Sequence, residues 1–526
     1  MKRFIALLLL ISTLVSLLVG CKPEEEDKGG EDEVQLNVID DSYRNWYEIF
    51  VHSYYDTDND GIGDLDGVTA KLDYVKEMGF NGIWLMPLHP SPTYHKYDVI
   101  DYYAIDEDYG TLEDFRTLVD EAHARGIRVI MDLVVNHTSD SHPWFRAACD
   151  YIRENGAPGG EYGDYYNFKA TSGGAYSSVS GTQYYYESQF WSGMPDLNLD
   201  SEAVRAEIVD IMTYWMSNYG VDGFRLDAVT SYYTGNIQGN IDFLSWLNTE
   251  AKRINPDAYL VGEAWVTDDY TINRYYESGV DSFFLFTGSQ ATGTIASLVK
   301  MGSGRSLGQL FENLESVYGD AILAPFLGNH DTMRPGSFMP GVENVKMAAG
   351  VLSMMNGGTY VYYGEEIGMI SKGGNNSDPA KRIAMKWEAK NIYEGCCYLP
   401  PENTPVDESS YYYPSVAEQM AYGESILNYY KEAMELRNRF PSIARGDVTY
   451  YPDGQNNYIC VITKEYKGEK ITVVFNMDTF EQEVTLDVDT LGFSELVGAL
   501  YACGGEHSYD GNGRLVMPPQ SIAIFK

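Results

Sequence analysis

Positive charge is scarce in this chain: 37 Lys and Arg stand against 77 Asp and Glu in 526 residues, a formal net charge of −40. A surface of that sign repels phosphate backbones and anionic headgroups, which argues against nucleic acid as a partner and against electrostatic docking on an anionic membrane. Cysteine is scarce too, at six. Besides Cys21 there are Cys149, Cys396, Cys397, Cys460 and Cys503, an odd remainder without repeated spacing. That pattern describes neither a disulfide framework nor a zinc site, and leaves room for one bridge. Aromatic residues, by contrast, make up 14% of the chain with 44 Tyr, ample for a core and for ring-lined clefts. The length exceeds what one small core organises, so one large domain with appendages is expected.

Residues 1–20 place Lys2–Arg3 before an apolar run from Phe4 to Val19 and end on Gly20, the layout of a secretory signal rather than of a spanning helix. Leu18–Val19–Gly20–Cys21 resembles a bacterial lipobox, in which Cys21 would be acylated and become the mature N-terminus. Lys22 to Glu33 is charged, contains Gly29–Gly30 and has no hydrophobe before Val34, so residues 21–37 read as a lipidated Cys and a disordered tether. The expectation is a secreted, extracytoplasmic protein held to the bacterial cell membrane by lipid.

Further along, apolar runs alternate with helical stretches. Tyr47–Val51, Gly82–Pro87, Arg128–Val135, Gly223–Ala228, Tyr259–Trp265, Asp281–Phe286, Leu323–Leu327 and Thr359–Tyr363 read as strands, and Val68–Met78, Leu112–Ala124, Ala203–Asn218, Phe243–Ile254 and Val345–Met355 as helices. That alternation predicts an α/β fold whose parallel strands close into a barrel. The Gly- and Tyr-rich connection from Asn136 to about Leu199 is too long for a barrel loop and predicts an inserted domain. After Arg439–Phe440–Pro441, short alternating runs such as Tyr458–Thr463, Ile471–Phe475 and Ser521–Phe525 predict a C-terminal antiparallel β-sandwich. The expected divisions are a barrel over 38–136 and 200–440, an insert over 137–199 and a sandwich over 441–526.

Barrel enzymes place their chemistry at the C-terminal ends of the strands. Strand three runs into Asp132 and Asn136–His137, strand four ends in Arg225 and Asp227, strand five in Glu263 with Trp265 beyond, and strand seven runs into Asn329–His330–Asp331. Polar groups from four strands therefore meet on one rim. In Gly223–Phe224–Arg225–Leu226–Asp227–Ala228, strand alternation puts Arg225 and Asp227 on one face, where the guanidinium keeps the carboxylate ionised. Upstream, Asp56, Asp58, Asp60, Ile62 and Asp64 surround Gly61 with the alternate spacing of a loop that wraps oxygens around a hard cation, calcium above all. Gly67 at the twelfth position rules out an EF-hand, which needs a bidentate Glu there.

With Asp132–Leu133–Val134–Val135–Asn136–His137, Gly223–Phe224–Arg225–Leu226–Asp227, Glu263–Ala264–Trp265 and Phe326–Leu327–Gly328–Asn329–His330–Asp331 in this order, the chain resembles the α-amylase superfamily, glycoside hydrolase family thirteen, from about Val38 to the C-terminus. The resemblance implies a (β/α)8 TIM barrel, Asp227 as nucleophile, Glu263 as general acid/base and Asp331 as a third carboxylate holding sugar hydroxyls. It implies sugar contacts for Arg225, His137 and His330, and an aromatic platform with a sugar-contacting carboxylate at Tyr97–Asp98, where Lys96 replaces a customary Gly. It also supports a structural calcium ion on the acidic loop. Met194–Pro195–Asp196–Leu197–Asn198 is similar to a motif of members intermediate between oligo-1,6-glucosidases and neopullulanase-like enzymes, and Arg382–Ile383–Ala384–Met385–Lys386–Trp387 is similar to a family loop. The Lys–His pair typical of α-amylases after the nucleophile is replaced by Thr230–Ser231. The function implied is a retaining α-glucan hydrolase acting on α-1,4 bonds in starch and malto-oligosaccharides. The alternatives are an oligosaccharide-trimming α-glucosidase or neopullulanase-like enzyme, and a non-catalytic glucan-binding lipoprotein.

Overall fold

The structure, a computed structural model, describes residues 42–371, 377–390, 394–403, 413–452 and 456–526. The expected signal, Cys21 and the tether lie outside the described residues. Strands β1 (Trp46–Ile49), β2 (Gly82–Leu85) and β3 (Arg128–Leu133) are followed by three short strands of the insert, β4 (Phe168–Lys169), β5 (Tyr176–Ser178) and β6 (Tyr185–Glu187). The main sheet resumes with β7 (Gly223–Leu226), β8 (Tyr259–Gly262), β9 (Ser282–Phe284), β10 (Ile322–Ala324) and β11 (Tyr360–Tyr362). Its parallel order is β10-β9-β8-β7-β3-β2-β1-β11, and a parallel bridge from Phe326 to Tyr360 joins the two ends. The expected (β/α)8 barrel is thus present.

What fills the barrel decides where chemistry can sit. Trp46, Trp84, Ile130, Tyr259, Val261 and Phe284 form a buried cluster within it, with the Trp46 ring stacked on Tyr259 at 5.0 Å and on Tyr360 at 5.8 Å. Side chains alternate along a strand. Two residues beyond Trp46 comes Glu48, beyond Ile130 comes Asp132, and beyond Val261 comes Glu263. The same inward face is therefore apolar at the bottom and charged at the top. Gly223 opens β7 because a Cβ there would lie 1.8 Å from the Tyr259 carbonyl oxygen, and its absence lets β7 and β8 pair closely enough to bring Arg225 opposite Val261.

The helices follow expectation with instructive departures. Leu112–Ala124 starts on a reciprocal Thr111–Asp114 capping box and is followed by Gly126 at φ 78°, the left-handed stop that Gly supplies. The stretch expected as one helix over Val68–Met78 is two, Leu65–Ala70 and Leu72–Glu77, because Lys71 leaves helical geometry at φ −103°, ψ 5°. The end of the helix expected over Ala203–Asn218 widens into a π-turn at Tyr214–Asn218. Helices Pro143–Asn155, Gly304–Tyr318 and Ile426–Arg439 join those expected.

Between β3 and β7 the chain forms the helix Pro143–Asn155 and the antiparallel sheet β4-β6-β5. Both ends of this excursion are tied to the same place: Leu197 N–H donates to the Asn136 carbonyl at 2.9 Å and Thr138 N–H to the Pro195 carbonyl at 3.1 Å. After the barrel come β12 (Asp447–Tyr450), β13 (Ile459–Tyr466), β14 (Glu469–Asn476), β15 (Gln482–Thr485), β16 (Leu496–Tyr501), β17 (Ser508–Tyr509), β18 (Arg514–Met517) and β19 (Ser521–Phe525). They form antiparallel sheets β12-β13-β14-β19-β16 and β15-β18-β17, with Ile459, Val474 and Phe525 of the first in one apolar cluster with Val484, Leu515 and Met517 of the second.

Candidate active site

Arg225 is the centre of the charged layer. Its Nη1 lies 2.5 Å from Asp132 Oδ1 and 2.6 Å from Asp227 Oδ1, and its Nη2 lies 2.7 Å from Glu263 Oε1. Strand ends of β3, β7 and β8 thus deliver three carboxylates to one guanidinium, whose planar fork fixes their spacing. One cation does not balance three anions in a water-poor site. Burial, opposed by Arg225, leaves the Asp132 carboxyl raised to about 6 and the Glu263 carboxyl pushed up to about 8, with Asp227 adding to the rise in both. Glu263 therefore holds its proton at neutral pH.

The backbone also positions Glu263. Ala228 sits at φ 49°, in the left-handed region, and its N–H donates to Glu263 Oε2 at 3.0 Å. A non-Gly residue held in that conformation costs of order 1 kcal/mol or more and persists where surrounding structure enforces it. Here it aims an amide at the second carboxyl oxygen.

A second charged layer surrounds Asp331. His330 Nε2 lies 2.9 Å from Asp331 Oδ2 while its Nδ1 lies 2.5 Å from Glu48 Oε1, and Arg382 Nη2 lies 2.7 Å from Asp331 Oδ1. Burial works against an ionised Asp331, but His330 and Arg382 outweigh it and hold the carboxyl well below the usual range. Burial likewise opposes a charged His330, yet Asp331 and Glu48 move it up to about 9. The site thus contains a protonated acid, Glu263, and an anion, Asp331, separated by environment rather than by residue type.

These groups border a cleft of about 500 Å³ lined by Tyr97, His137, Asp227, Glu263 and Asp331, with Phe190, Met194, Trp265 and Gln290 on its walls. His137 is buried and its Nε2 has no hydrogen-bond partner among the described residues. Burial lowers its pKa, so the ring is neutral. The Tyr97 ring stacks on His330 at 5.6 Å and its hydroxyl lies 2.8 Å from His330 Nε2. Arg225 and His330 are fully buried beneath the cleft floor, bonded to its carboxylates. Asp98 is fully buried as well, accepting from the Ser91 and Thr93 hydroxyls, and its Oδ2 has no partner among the described residues.

Several contributors were not singled out as site residues from sequence. Glu48 had a signal, a lone carboxylate on the inward face of an otherwise apolar strand. Arg382 lies on the loop after β11 and reaches Asp331 only through the fold. Lys96 adopts φ 62°, which explains why Gly suits this position. Its ammonium is buried 2.9 Å from Asp106. Asp196 of the Met194–Asn198 segment accepts from Gln189 N–H at 3.1 Å and bridges to His137, so the segment braces the insert against the site. Glu365 and Glu366 are buried acceptors for the hydroxyls of Tyr430, Tyr47 and Tyr74, a loop-supporting role.

In the acidic loop, carboxylate oxygens of Asp56, Asp58 and Asp64 lie within 4.8 Å of one another. Asp56 is buried, and its two oxygens accept from Asn59 and Gly61 N–H groups at 2.6 and 2.8 Å. An all-oxygen set folded by its own backbone fits a hard cation. Asp60, expected in the set, accepts from Ile62 N–H at 2.8 Å and is not one of the three carboxylates that lie within that distance of one another.

A parallel barrel with carboxylates of unequal protonation at the C-terminal ends of its strands defines the class: a glycoside hydrolase. Residues 48–446 match the alpha amylase catalytic domain, and the chain belongs to that family. It is 36% identical to Alpha-amylase 3 of Dictyoglomus thermophilum over 92% of this chain and 93% of that protein. It is 28% identical to the oligo-1,6-glucosidase of Bacillus cereus, covering 91% of this chain and 98% of the relative. Among solved structures, Eubacterium rectale Amy13B superposes with a TM-score of 0.88 at 44% identity, over 93% of this chain and 96% of that one.

Proposed function

We propose that the protein is a retaining hydrolase of α-1,4-glucosidic bonds in starch and malto-oligosaccharides. The observation that carries this reading is the Arg225 fork, which presents Asp227 and Glu263 side by side from the two nitrogens of one guanidinium. Retention needs two carboxyl groups about 5–5.5 Å apart, and adjacent oxygens on one fork suit that spacing. Asp227 attacks the anomeric carbon to form a glycosyl ester while Glu263 gives its proton to the departing oxygen. Water then attacks the ester with Glu263 as base, releasing the sugar and restoring both carboxyls. Asp331, ionised by His330 and Arg382, accepts hydrogen bonds from hydroxyls of the distorted ring. The unpartnered His137 Nε2 is placed to meet a sugar oxygen, and Tyr97 offers a ring face.

The relative named Alpha-amylase 3 favours action on chains, and Ala228 directly after Asp227, where many α-1,6-specific members of the family carry a bulkier Val, supports the α-1,4 bond. The Bacillus cereus relative carries the second reading, a trimming enzyme for short oligosaccharides. Maltoheptaose labelled at its reducing end separates them. Labelled mid-length fragments appearing first are expected, whereas unlabelled glucose with maltohexaose as the sole early labelled product would overturn the chain-cleaving reading.

The N-terminal sequence supports export, with Cys21 as a lipid anchor to the cell membrane. The acidic loop would hold calcium through Asp56, Asp58 and Asp64, and the ion would serve the fold, since the loop carries no reacting group. Removing calcium with a chelator is expected to lower the melting temperature by about 5 °C or more, as loss of a native-state ligand should. Asp56→Ala should abolish that response, and an unchanged melting temperature in the parent protein would refute the site.

A further inference from the structure

The inward face of β1 carries a carboxylate that takes no part in the bond cleavage above. Glu48 follows Trp46 by two residues, stands in register with Trp84 of β2 and Tyr362 of β11, and is fully buried. Its Oε1 lies 2.5 Å from His330 Nδ1 and also accepts from the His330 backbone N–H at 3.4 Å. A single oxygen thus fixes both the ring and the chain of that residue. The ring has little other freedom, with Tyr97 stacked on it at 5.6 Å and Trp84 packed against it at 5.6 Å and 78°.

Both ring nitrogens therefore face carboxylates, Nδ1 toward Glu48 and Nε2 toward Asp331 at 2.9 Å. A neutral imidazole has one N–H and one lone pair, so it donates to one of two ionised carboxylates and sets its lone pair against the other. Two N–H groups satisfy both, which makes His330 an imidazolium. Its pKa, raised to about 9, agrees. The Tyr97 hydroxyl, 2.8 Å from Nε2, then accepts from the ring and donates onward to Asp132 Oδ2 at 3.4 Å. Arg382 donates to the His330 carbonyl at 3.1 Å, and the Asp132 and Glu263 carboxyls at the ends of β3 and β8 also feel the charge of the ring. Tyr362 and Glu365 are the titratable groups facing Glu48 itself, from β11 and the turn after it. Among the described residues, Glu48 alone has a side chain bonded to Nδ1 on the barrel side of the ring.

We propose that Glu48 is a positioning residue of the cleft: it holds His330 in the doubly protonated, charged form that keeps Asp331 ionised and turned to the sugar hydroxyls. Glu48 does not line the cleft and acts only through His330. This rests on the assignment of the cleft as a glucan-cleaving site, and extends it to β1, a strand that carries none of the reacting groups. Without the Glu48 charge the ring gives up a proton at lower pH. A neutral ring still has one N–H for Asp331, but the cation beside that carboxylate is gone.

The test follows kcat/KM on α-maltosyl fluoride against pH for the parent, Glu48→Gln and Glu48→Asp. Departing fluoride needs no proton, so the titration of Glu263 as an acid drops out of this step. Glu48→Gln should move the alkaline limb down by about 1–3 pH units and regain the parent rate on acidification. Glu48→Asp, which keeps the charge, should restore the limb at least in part. A loss of rate equal at every pH, the mark of a structural role, would overturn the proposal, as would an unmoved limb. If Glu48→Gln does not fold, the parent still decides. The histidine NMR signal that disappears in His330→Asn should remain that of an imidazolium up to about pH 9, and a ring already neutral at neutral pH would overturn the proposal. Failure of the parent to release fluoride would instead overturn the cleft assignment, and the NMR titration would still report on His330.

Discussion

Glu263→Gln is expected to lower kcat/KM on maltoheptaose by about 100- to 10,000-fold, the usual worth of a positioned general acid. Glutamine keeps the shape and the contact with Ala228 N–H but has no acidic proton. A glucosyl fluoride, whose leaving group needs no proton, should lose far less in the step that forms the glycosyl ester. Parent-level activity on maltoheptaose would remove Glu263 from the chemistry. The pH profile supplies an independent check. The carboxyl must be protonated to act and burial raises it to about 8, so parent kcat/KM should fall as pH rises through that value. The same shift affects stability. A carboxyl that holds its proton in the folded protein up to about 8, against a reference value of 4.5, stabilises the fold fully below the reference value. That contribution is lost as pH rises between the two.

Arg225→Met should be the most destabilising single change at the site, by about 3–5 kcal/mol at neutral pH, because removing one partner of a buried ion cluster leaves uncompensated charge. Here the stranded partners are Asp132 and Asp227, while protonated Glu263 loses a hydrogen-bond donor. Urea unfolding at several pH values gives a test with a sign. Without the guanidinium, which lowers both, the Asp132 and Glu263 carboxyls hold their protons to higher pH in the folded state, so the deficit should shrink on acidification and grow toward alkaline pH. A deficit independent of pH would mean that Arg225 acts by filling space. Arg225→Lys keeps the charge but not the fork, and should recover part of the stability and little of the activity.

The catalytic layer was legible from the sequence because the barrel converts strand period into position. Asp132, Arg225, Asp227 and Glu263 each sit at an even offset from an inward apolar residue or from one another, so alternation alone places them on a common face. What alternation cannot convey is reach. Arg382 meets Asp331 across 51 residues of chain, and Phe190 enters the cleft from the insert, through loops without a period. The break at Lys71 and the π-turn at Tyr214–Asn218 were hidden for a related reason: apolar spacing continues through both while the backbone does not. In the acidic loop the spacing located the carboxylates, but not which of them converge: Asp56, Asp58 and Asp64 do.

The two hydrogen bonds that tie Asn136 to Leu197 and Thr138 to Pro195 have a consequence for how such an enzyme can diversify. An excursion whose ends are held together by two hydrogen bonds hardly alters the loop-closure cost of the scaffold as it lengthens, because that cost grows only with the logarithm of length. The segment that supplies Phe190 and Met194 to the cleft is therefore a replaceable cassette. Rebuilding it would change the shape seen by the substrate without touching the charged layer on β3, β7 and β8.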